Sequence, residues 1–200
     1  TSNSGVPINA TDWTLDNWGE ILMACPLDGA IYYWVPTENF PIAVVIPNAP
    51  PVNEGIFVAM PQRQIIAWAS TFTGIKDPLL IRWCDVDDYN SWISLPTNQA
   101  GSYRIPKGSR IVQCIQGPQQ GLVWTDVGIW SMQYTGPQYV YSFNEVGNGC
   151  GLIGRKAAGS LNGIVYWMGP NQFYRLAGTG VEPIRCPIWD YIFQENLKHT

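Results

Sequence analysis

The hydrophobic and polar positions of this chain form short apolar runs separated by glycine turns, and no long helical period is present. The stretch Cys150–Gly169 is the clearest example. Residues 157–161 have the length of a strand, and Asn162-Gly163 is the dipeptide that best fits a type I′ hairpin turn. Residues 164–168 are apolar, β-branched and aromatic, and residues 172–176 follow as the next strand. The pattern predicts a meander of short strands.

The same unit recurs along the chain. Residues 121–133 repeat the order of glycine, apolar strand, turn and aromatic strand, and looser copies cover residues 19–34 and 55–83. A drifting period of roughly 40 to 60 residues, with about four strands in each, is typical of propeller blades. We therefore predict an all-β fold, a β-propeller-like meander of four-stranded blades, with about four partial blades in this chain.

The chain divides into an arm, a body and a tail. Residues 1–17 are rich in Asn, Ser and Thr and are predicted to be an N-terminal arm or linker. Residues 18–195 form the propeller-like domain, and residues 196–200 form a tail. Residues 35–54 hold five of the sixteen prolines, which favours a connector or insertion. The later blades are placed at 55–105, 110–145 and 156–186, with a strand or a short helix at 188–193. Both ends look cut, so we expect a piece of a longer chain.

Composition restricts the function classes. The net charge is −4, only 13% of residues are charged, and no run of Lys or Arg exists. This argues against a protein that binds the phosphate backbone of nucleic acids. Ten tryptophans and few charges predict exposed apolar area, which usually means protein partners. No apolar run reaches the roughly 18 residues of a membrane span, so no membrane insertion by this chain is expected.

The cysteine spacing predicts neither zinc ligands nor a disulfide framework. The five cysteines lie 30 to 59 residues apart with no Cys-x-x-Cys pair: Cys25, Cys84, Cys114, Cys150 and Cys186. Their apolar surroundings favour buried, reduced thiols made in a reducing compartment.

Few combinations of residues in the sequence suit a catalytic or metal site. The only histidine is His199, which argues against Ser-His or Cys-His catalysis and against a multi-histidine metal site. The Asp85, Asp87 and Asp88 loop could hold calcium, but it lacks the glycine and glutamate of an EF-hand, so a solvated hairpin loop is favoured. A glycosidase would need two carboxylates. The available ones are Asp126, Glu145 and Asp190. We assign no catalytic, metal or cofactor residue and expect no enzyme and no cofactor.

The tryptophans allow two interpretations. Flat indole rings stack on sugars, which would suit a carbohydrate-binding protein. Most of them, however, lie inside apolar runs at strand spacing, which favours a core between blades. They are Trp13, Trp18, Trp34, Trp68, Trp83, Trp92, Trp124, Trp130, Trp167 and Trp189.

The order of five motifs resembles the tail nozzle, or tail-tube (tail hub), β-propeller proteins of short-tailed bacteriophages. The motifs are WTLDNWGE (13–20), DGAIYYW (28–34), DPLLIRWCDVDDYNSW (77–92), LVWTDVGIWSMQY (122–134) and CGLIGRKAAGSLNGIVYWMG (150–169). The resemblance covers roughly residues 13–195. Family members are several times longer, and the 35–54 spacer is longer and richer in proline than a minimal blade connection.

The resemblance implies a structural virion protein that is not an enzyme. Such proteins form a homo-hexameric ring below the portal and the adaptor (the head-to-tail connector), continue the DNA channel used in ejection, and support tail fibre proteins. The expected location is the virion tail, after assembly in the bacterial host cytoplasm. A body of low charge suits a channel wall that lets genomic DNA pass without specific binding. The alternative is a carbohydrate-binding β-propeller, either receptor-binding or glycan-cleaving. In a conduit, the Asp85–Asp88 loop would repel DNA if it faced the lumen.

Overall fold

Four antiparallel sheets, each of four strands, follow one another along the chain. The structure is a computed structural model and describes residues 12–38, 42–118, 120–178 and 180–197. We number the sheets as blades 1 to 4. This arrangement confirms the predicted all-β, propeller-like fold.

The first two blades span residues 13–104. Blade 1 contains β1 (Trp13–Trp18), β2 (Ile21–Pro26), β3 (Tyr32–Trp34) and β4 (Val44–Val45). Blade 2 contains β5 (Gly55–Ala59), β6 (Gln64–Trp68), β9 (Leu80–Trp83) and β10 (Gly101–Arg104). A small hairpin, β7 (Thr71–Phe72) and β8 (Ile75–Lys76), interrupts blade 2 between its second and third strands.

The last two blades span residues 111–184. Blade 3 contains β11 (Ile111–Gln116), β12 (Gly121–Thr125), β13 (Gly128–Gly136) and β14 (Val140–Asn148). Blade 4 contains β15 (Ala158–Leu161), β16 (Ile164–Met168), β17 (Phe173–Ala177) and β18 (Gly180–Ile184). A π-helical segment, Asp190–Asn196, follows and settles the ambiguous prediction for 188–193.

The first strands of blades 1 to 3 lie side by side around a common axis. β5 contacts β1 on one side and β11 on the other. Within every sheet the strands lie in chain order from the first strand outward, apart from the β7–β8 hairpin. This is the radial arrangement of a propeller, in which each blade covers a face of the next.

The predicted arm is too long by five residues. Residues 1–11 lie outside the described residues, but Trp13–Trp18 is strand β1 and pairs with β2. Two polar residues of this segment, Thr14 and Asp16, accept hydrogen bonds from blade 2. Thr14 Oγ1 accepts a hydrogen bond from the Ile56 backbone N–H at 2.9 Å, and Asp16 Oδ2 accepts one from Val58 N–H at 2.8 Å.

The predicted connector at 35–54 is also wrong in part. Val44 and Val45 form β4 and pair with Tyr33 and Tyr32 as the outermost strand of blade 1. Proline, which has no backbone N–H, is tolerated beside an edge strand because no further strand needs a donor there. Residues 39–41 lie outside the described residues, as do residues 198–200 of the predicted tail, whereas Asn196 still belongs to the π-helical segment.

Three apolar clusters fill the spaces between consecutive blades, and we call them seams 1–2, 2–3 and 3–4. Seven of the ten tryptophans are buried in these seams, which confirms the core interpretation for them. Seam 1–2 holds Trp18 and Trp92, seam 2–3 holds Trp68, Trp83 and Trp130, and seam 3–4 holds Trp124 and Trp167.

The Asn162-Gly163 hairpin is confirmed. Leu161 pairs with Ile164, and φ is 51° at Asn162 and 78° at Gly163, as a type I′ turn requires. A side chain at residue 163 would meet open space, so only the backbone conformation opposes one.

Gly163→Val is therefore expected to lower the free energy of unfolding by roughly 1–3 kcal/mol through backbone strain. Urea denaturation measures the difference. Gly159→Val is the matched control, because Gly159 lies in β15 of the same hairpin, with open space and no positive φ. Equal stability of the two variants would contradict the assigned turn.

The cysteines are free, as predicted. Cys25, Cys84, Cys114 and Cys150 are buried, and Cys186 is half-buried. Burial raises the pKa of the Cys25 thiol to about 12 and also raises the pKa of Cys84, Cys114 and Cys150. Thiols of this kind react slowly, since the thiolate is the nucleophile.

Thiol titration with Ellman's reagent should find five reactive groups in denatured protein and close to one, Cys186, in the native protein. Cys186→Ser should remove most of the native reaction while leaving four groups after denaturation. A disulfide in freshly alkylated protein would contradict the reduced state.

Candidate assembly surfaces and axial groove

The first strands of the blades line a groove of about 400 Å³ along the axis. β1, β5 and β11 contribute to its walls, and Lys156 closes it from the side of blade 4. Asp16, Gln113 and Gln116 supply polar groups beside Trp13. The groove is therefore mixed in polarity.

An ion-pair joint at one end of the axis ties blade 4 to blades 1 and 2. Arg155 Nε lies 2.7 Å from Asp12 Oδ2, and Lys156 Nζ binds the other carboxylate oxygen. Arg155 Nη1 also donates to the Glu54 carbonyl, just before β5, at 2.8 Å. Sequence reasoning missed this joint, although Arg155-Lys156 is the only adjacent pair of Lys or Arg in the chain.

The joint makes a pH-dependent contribution to stability. The hydrogen bond from Lys156, together with Arg155, lowers the pKa of Asp12 below its usual value. A lowered carboxyl pKa stabilises the folded state above the unfolded pKa of about 4, and this contribution disappears as the pH falls through the folded value.

Asp12→Asn should therefore destabilise the protein at pH 7, and the difference from wild type should shrink below about pH 4. Denaturation at several pH values measures this, with Asp190→Asn, on an exposed carboxylate, as the control. A difference that stays constant down to pH 3 would contradict the joint.

Blade 4 presents an uncovered apolar face at one end of the row of blades, and we call it the blade 4 end face. Tyr166, Met168, Phe173 and Ile184 line a groove of about 340 Å³ there, which also reaches Trp167 and Tyr174 of seam 3–4. Tyr166 is 37% exposed, on the face of β16 opposite the buried Val165 and Trp167. Phe193 of the π-helical segment packs on Phe173 at one margin.

Blade 1 presents a second apolar face at the other end of the row, the blade 1 end face. Trp13 is 43% and Leu15 60% exposed. They alternate along β1 with Thr14 and Asp16, whose side chains bond to blade 2, and they also border the axial groove. The ring centroids of Tyr32 and Trp13 lie 6.1 Å apart. Val45, which is exposed, pairs with Tyr32 in the sheet. Both end faces resemble halves of a seam.

The carboxylates of the acidic loop, Asp85–Asp88, form hydrogen bonds and an ion pair at the surface of seam 1–2. Asp85 Oδ1 accepts from the backbone N–H groups of Val86 and Gln99, both at 2.8 Å, and Asp88 accepts from Asn90. Asp87 pairs with Arg63 at 2.5 Å. Within the described part of the chain, no group of three His, Cys, Asp or Glu side chains could hold a metal ion. Whether the loop faces a lumen stays a prediction.

Two of the three carboxylates considered for glycoside cleavage, Asp126 and Glu145, are engaged in other interactions. Burial alone would raise the pKa of Asp126, but hydrogen bonds from Ser109 and the Arg110 backbone outweigh it, and the pKa is lowered. A glycosidase acid needs a raised pKa. Glu145 pairs with Lys107 at 2.7 Å, and Asp190 lies in the π-helical segment beyond blade 4. His199 lies outside the described residues.

Three tryptophans lie outside the seams, Trp13, Trp34 and Trp189, and two of them are exposed, Trp13 at 43% and Trp189 at 36%. Trp189 donates from Nε1 to the Asn171 carbonyl at 2.6 Å and stacks on Phe193. Trp13 lies on the blade 1 end face. Carbohydrate binding through tryptophan stays a prediction.

None of the helical residues that the structure describes forms a helix with the length and apolar character needed to cross a membrane.

Comparison with known proteins supports the fold. No protein-family model matches the sequence, and no curated protein matches it. Among solved structures, Hsv2 of Kluyveromyces lactis, a yeast β-propeller, matches with a TM-score of 0.51 and 9% identity over 88% of this chain and 50% of its own. Hsv2 of K. marxianus matches with a TM-score of 0.50 and 8% identity, over 86% and 49%.

An exported protein of Bacteroides fragilis matches with a TM-score of 0.49 and 13% identity, over 85% of this chain and 49% of its own. The chain thus spans about half the length of the structures it matches. At these identities the likeness to the Hsv2 structures concerns the fold alone.

Proposed function

We propose that this chain is a structural protein of a bacteriophage tail, a tail nozzle component that assembles into a ring and continues the DNA channel. The observation that carries the proposal is the pair of apolar end faces on either side of the row of four blades. The order of sequence motifs supplies the link to short-tailed phages.

The end faces suit contact between neighbouring copies of the chain. Inside the molecule, each seam joins one face of a blade to the opposite face of the next. Contact between the blade 4 end face of one copy and the blade 1 end face of another would repeat this arrangement. A contact between two different patches is heterologous, and it generates a ring when the rotation closes. Six copies are the number that the resemblance implies.

The charge and the thiols agree with such a role. A net charge of −4 on 200 residues gives a lumen little means of holding DNA during ejection. The buried free cysteines suit assembly in a reducing bacterial cytoplasm before incorporation into the virion. Adaptor and tail fibre proteins are the partners proposed for the outer surfaces of the ring.

Analytical ultracentrifugation tests the ring. We expect a species near six times the 22.3 kDa chain mass. Leu15→Asp and Tyr166→Asp each place a charge on one end face and should each yield monomers. Their mixture should give heterodimers, because one intact pair of faces remains. Tyr139→Asp is the control, since Tyr139 is 74% exposed in the β13–β14 turn. A monomeric wild type, or rings that survive both substitutions, would contradict the proposal.

Immunogold labelling tests the tail assignment separately. Antiserum against the chain should mark the tails of short-tailed virions from cells that carry the gene, and virions without label would contradict it. The carbohydrate-binding alternative predicts the reverse result, glycan binding by a monomer that forms no ring.

A further inference from the structure

A cleft of about 320 Å³ lies between blades 2 and 3, and none of the residues named for the two end faces lines it. Four glutamines from separate segments converge on it: Gln62, Gln116, Gln120 and Gln133. Gln62 belongs to the β5–β6 turn, Gln116 and Gln120 flank the β11–β12 turn, and Gln133 lies on β13. No Asp, Glu, Lys, Arg or His is among the described residues that line the cleft.

The amide groups retain unused hydrogen-bonding capacity. Gln133 Nε2 donates to Gln120 Oε1 at 2.8 Å. Gln116 donates to the Gly117 carbonyl at 2.9 Å and accepts from the Met60 backbone N–H at 3.4 Å. Each glutamine offers two donors and two acceptor lone pairs, so these bonds use only part of what the four side chains provide.

One wall of the cleft carries Met60 and two tyrosines, and hydrogen bonds hold the tyrosines in place. Met60 is 55% exposed. The Tyr134 hydroxyl donates to Gln99 Oε1 at 2.6 Å, and the Tyr134 ring packs edge-on against Tyr141. Tyr141 donates to the buried Gln64 at 2.8 Å. A wall fixed in this way loses little conformational freedom when a ligand binds.

We propose that this cleft binds a neutral oligosaccharide. Hydroxyl groups donate and accept hydrogen bonds, as amides do, so a cluster of amides complements a sugar. The lack of charge favours a neutral ligand, and the methionine and tyrosine wall suits the C–H face of a sugar ring. The site uses none of the tryptophans, and it goes beyond the structural role because it is independent of ring formation.

Saturation-transfer NMR and calorimetry with maltohexaose, cellohexaose and chitohexaose test the site on the whole chain. We expect at least one of these neutral hexasaccharides to bind. Gln62→Leu and Gln133→Leu should each weaken that binding at least tenfold. Gln194→Leu is the matched control, because Gln194 is exposed on the π-helical segment. This variant should bind the sugar with the affinity of the wild type. Unchanged melting temperatures confirm that the variants fold.

Several outcomes would overturn the proposal. They are no binding of any of the three sugars, binding that survives both cleft substitutions, and binding that Gln194→Leu weakens equally. Capture of an extended peptide in place of sugars would also overturn it. If no sugar binds, the ring proposal is unaffected, because the ring is tested at Leu15 and Tyr166, which lie outside the cleft. If the protein is a monomer that binds sugar, the ring proposal fails and the cleft proposal stands.

Discussion

Trp124→Ala is expected to lower the free energy of unfolding by about 3–5 kcal/mol, the usual range for truncation of a buried aromatic side chain. Trp124 is 0% exposed and meets Trp167 edge-on, with ring centroids 5.7 Å apart, in the middle of seam 3–4. Alanine would leave a cavity that two rigid sheets cannot close. Urea denaturation, followed by circular dichroism because the variant loses a fluorophore, measures the change.

Conservative variants show whether ring packing or hydrogen bonding dominates the seam. Trp124 Nε1 is buried without a partner among the described residues, whereas Trp167 Nε1 donates to the Cys150 carbonyl at 2.8 Å. Trp124→Phe removes an unsatisfied group, and Trp167→Phe removes a bond. We expect Trp167→Phe to destabilise the protein more. The opposite order, or a loss below 1 kcal/mol for Trp124→Ala, would show that the seam is packed differently.

Gly151→Ala is expected to destabilise the protein by about 3 kcal/mol, the upper end of the range for overpacking. A Cβ at residue 151 would lie 2.1 Å from the Asp126 carbonyl oxygen and 2.8 Å from the Val127 nitrogen. Both are backbone atoms of the β12–β13 turn, so no side chain can rotate away. Hydrogen bonds from Gly149 to Val127 and from Leu152 to Thr125 hold the loop against this turn.

Gly154→Ala is the control, since a Cβ there meets nothing within 4 Å and the residue has no positive φ. Its stability should lie within about 0.5 kcal/mol of wild type. Similar melting curves for the two alanine variants would contradict the close approach of residues 151 and 126.

The sequence predicted the blades in which hydrophobic runs and turn residues agree. In blade 4, Asn162-Gly163 separates two strand-length runs, so local preferences were sufficient. Strand β1 was missed because Thr14 and Asp16 satisfy backbone groups of blade 2, and local alternation does not report such a distant partner. β4 was missed because prolines surround Val44 and Val45, which pair only on one side.

The candidate sites were harder to predict because their members come together only in three dimensions. Asp12 and Arg155 are separated by 143 residues. Gln62 and Gln133 lie on different blades, and glutamine carries no spacing rule comparable to that of metal ligands. The end faces could be predicted only with the order of the blades in hand, because the exposure of Leu15 and of Tyr166 depends on which blades have a neighbour. The aspartate loop was noticed for its charge, but its carboxylates bind backbone N–H groups and the Arg63 side chain.

Each blade is complete before the next one begins, and each seam joins blades that are consecutive in the chain. A nascent chain can therefore close seam 1–2 once residue 104 has emerged, without waiting for its C-terminal half. Apart from the joint that Arg155 and Lys156 make with Asp12 and Glu54, an end blade is held by one seam and an inner blade by two, as in repeat proteins whose energetics depend on nearest neighbours. Evolution can consequently add or delete a terminal blade without rethreading the rest of the polypeptide.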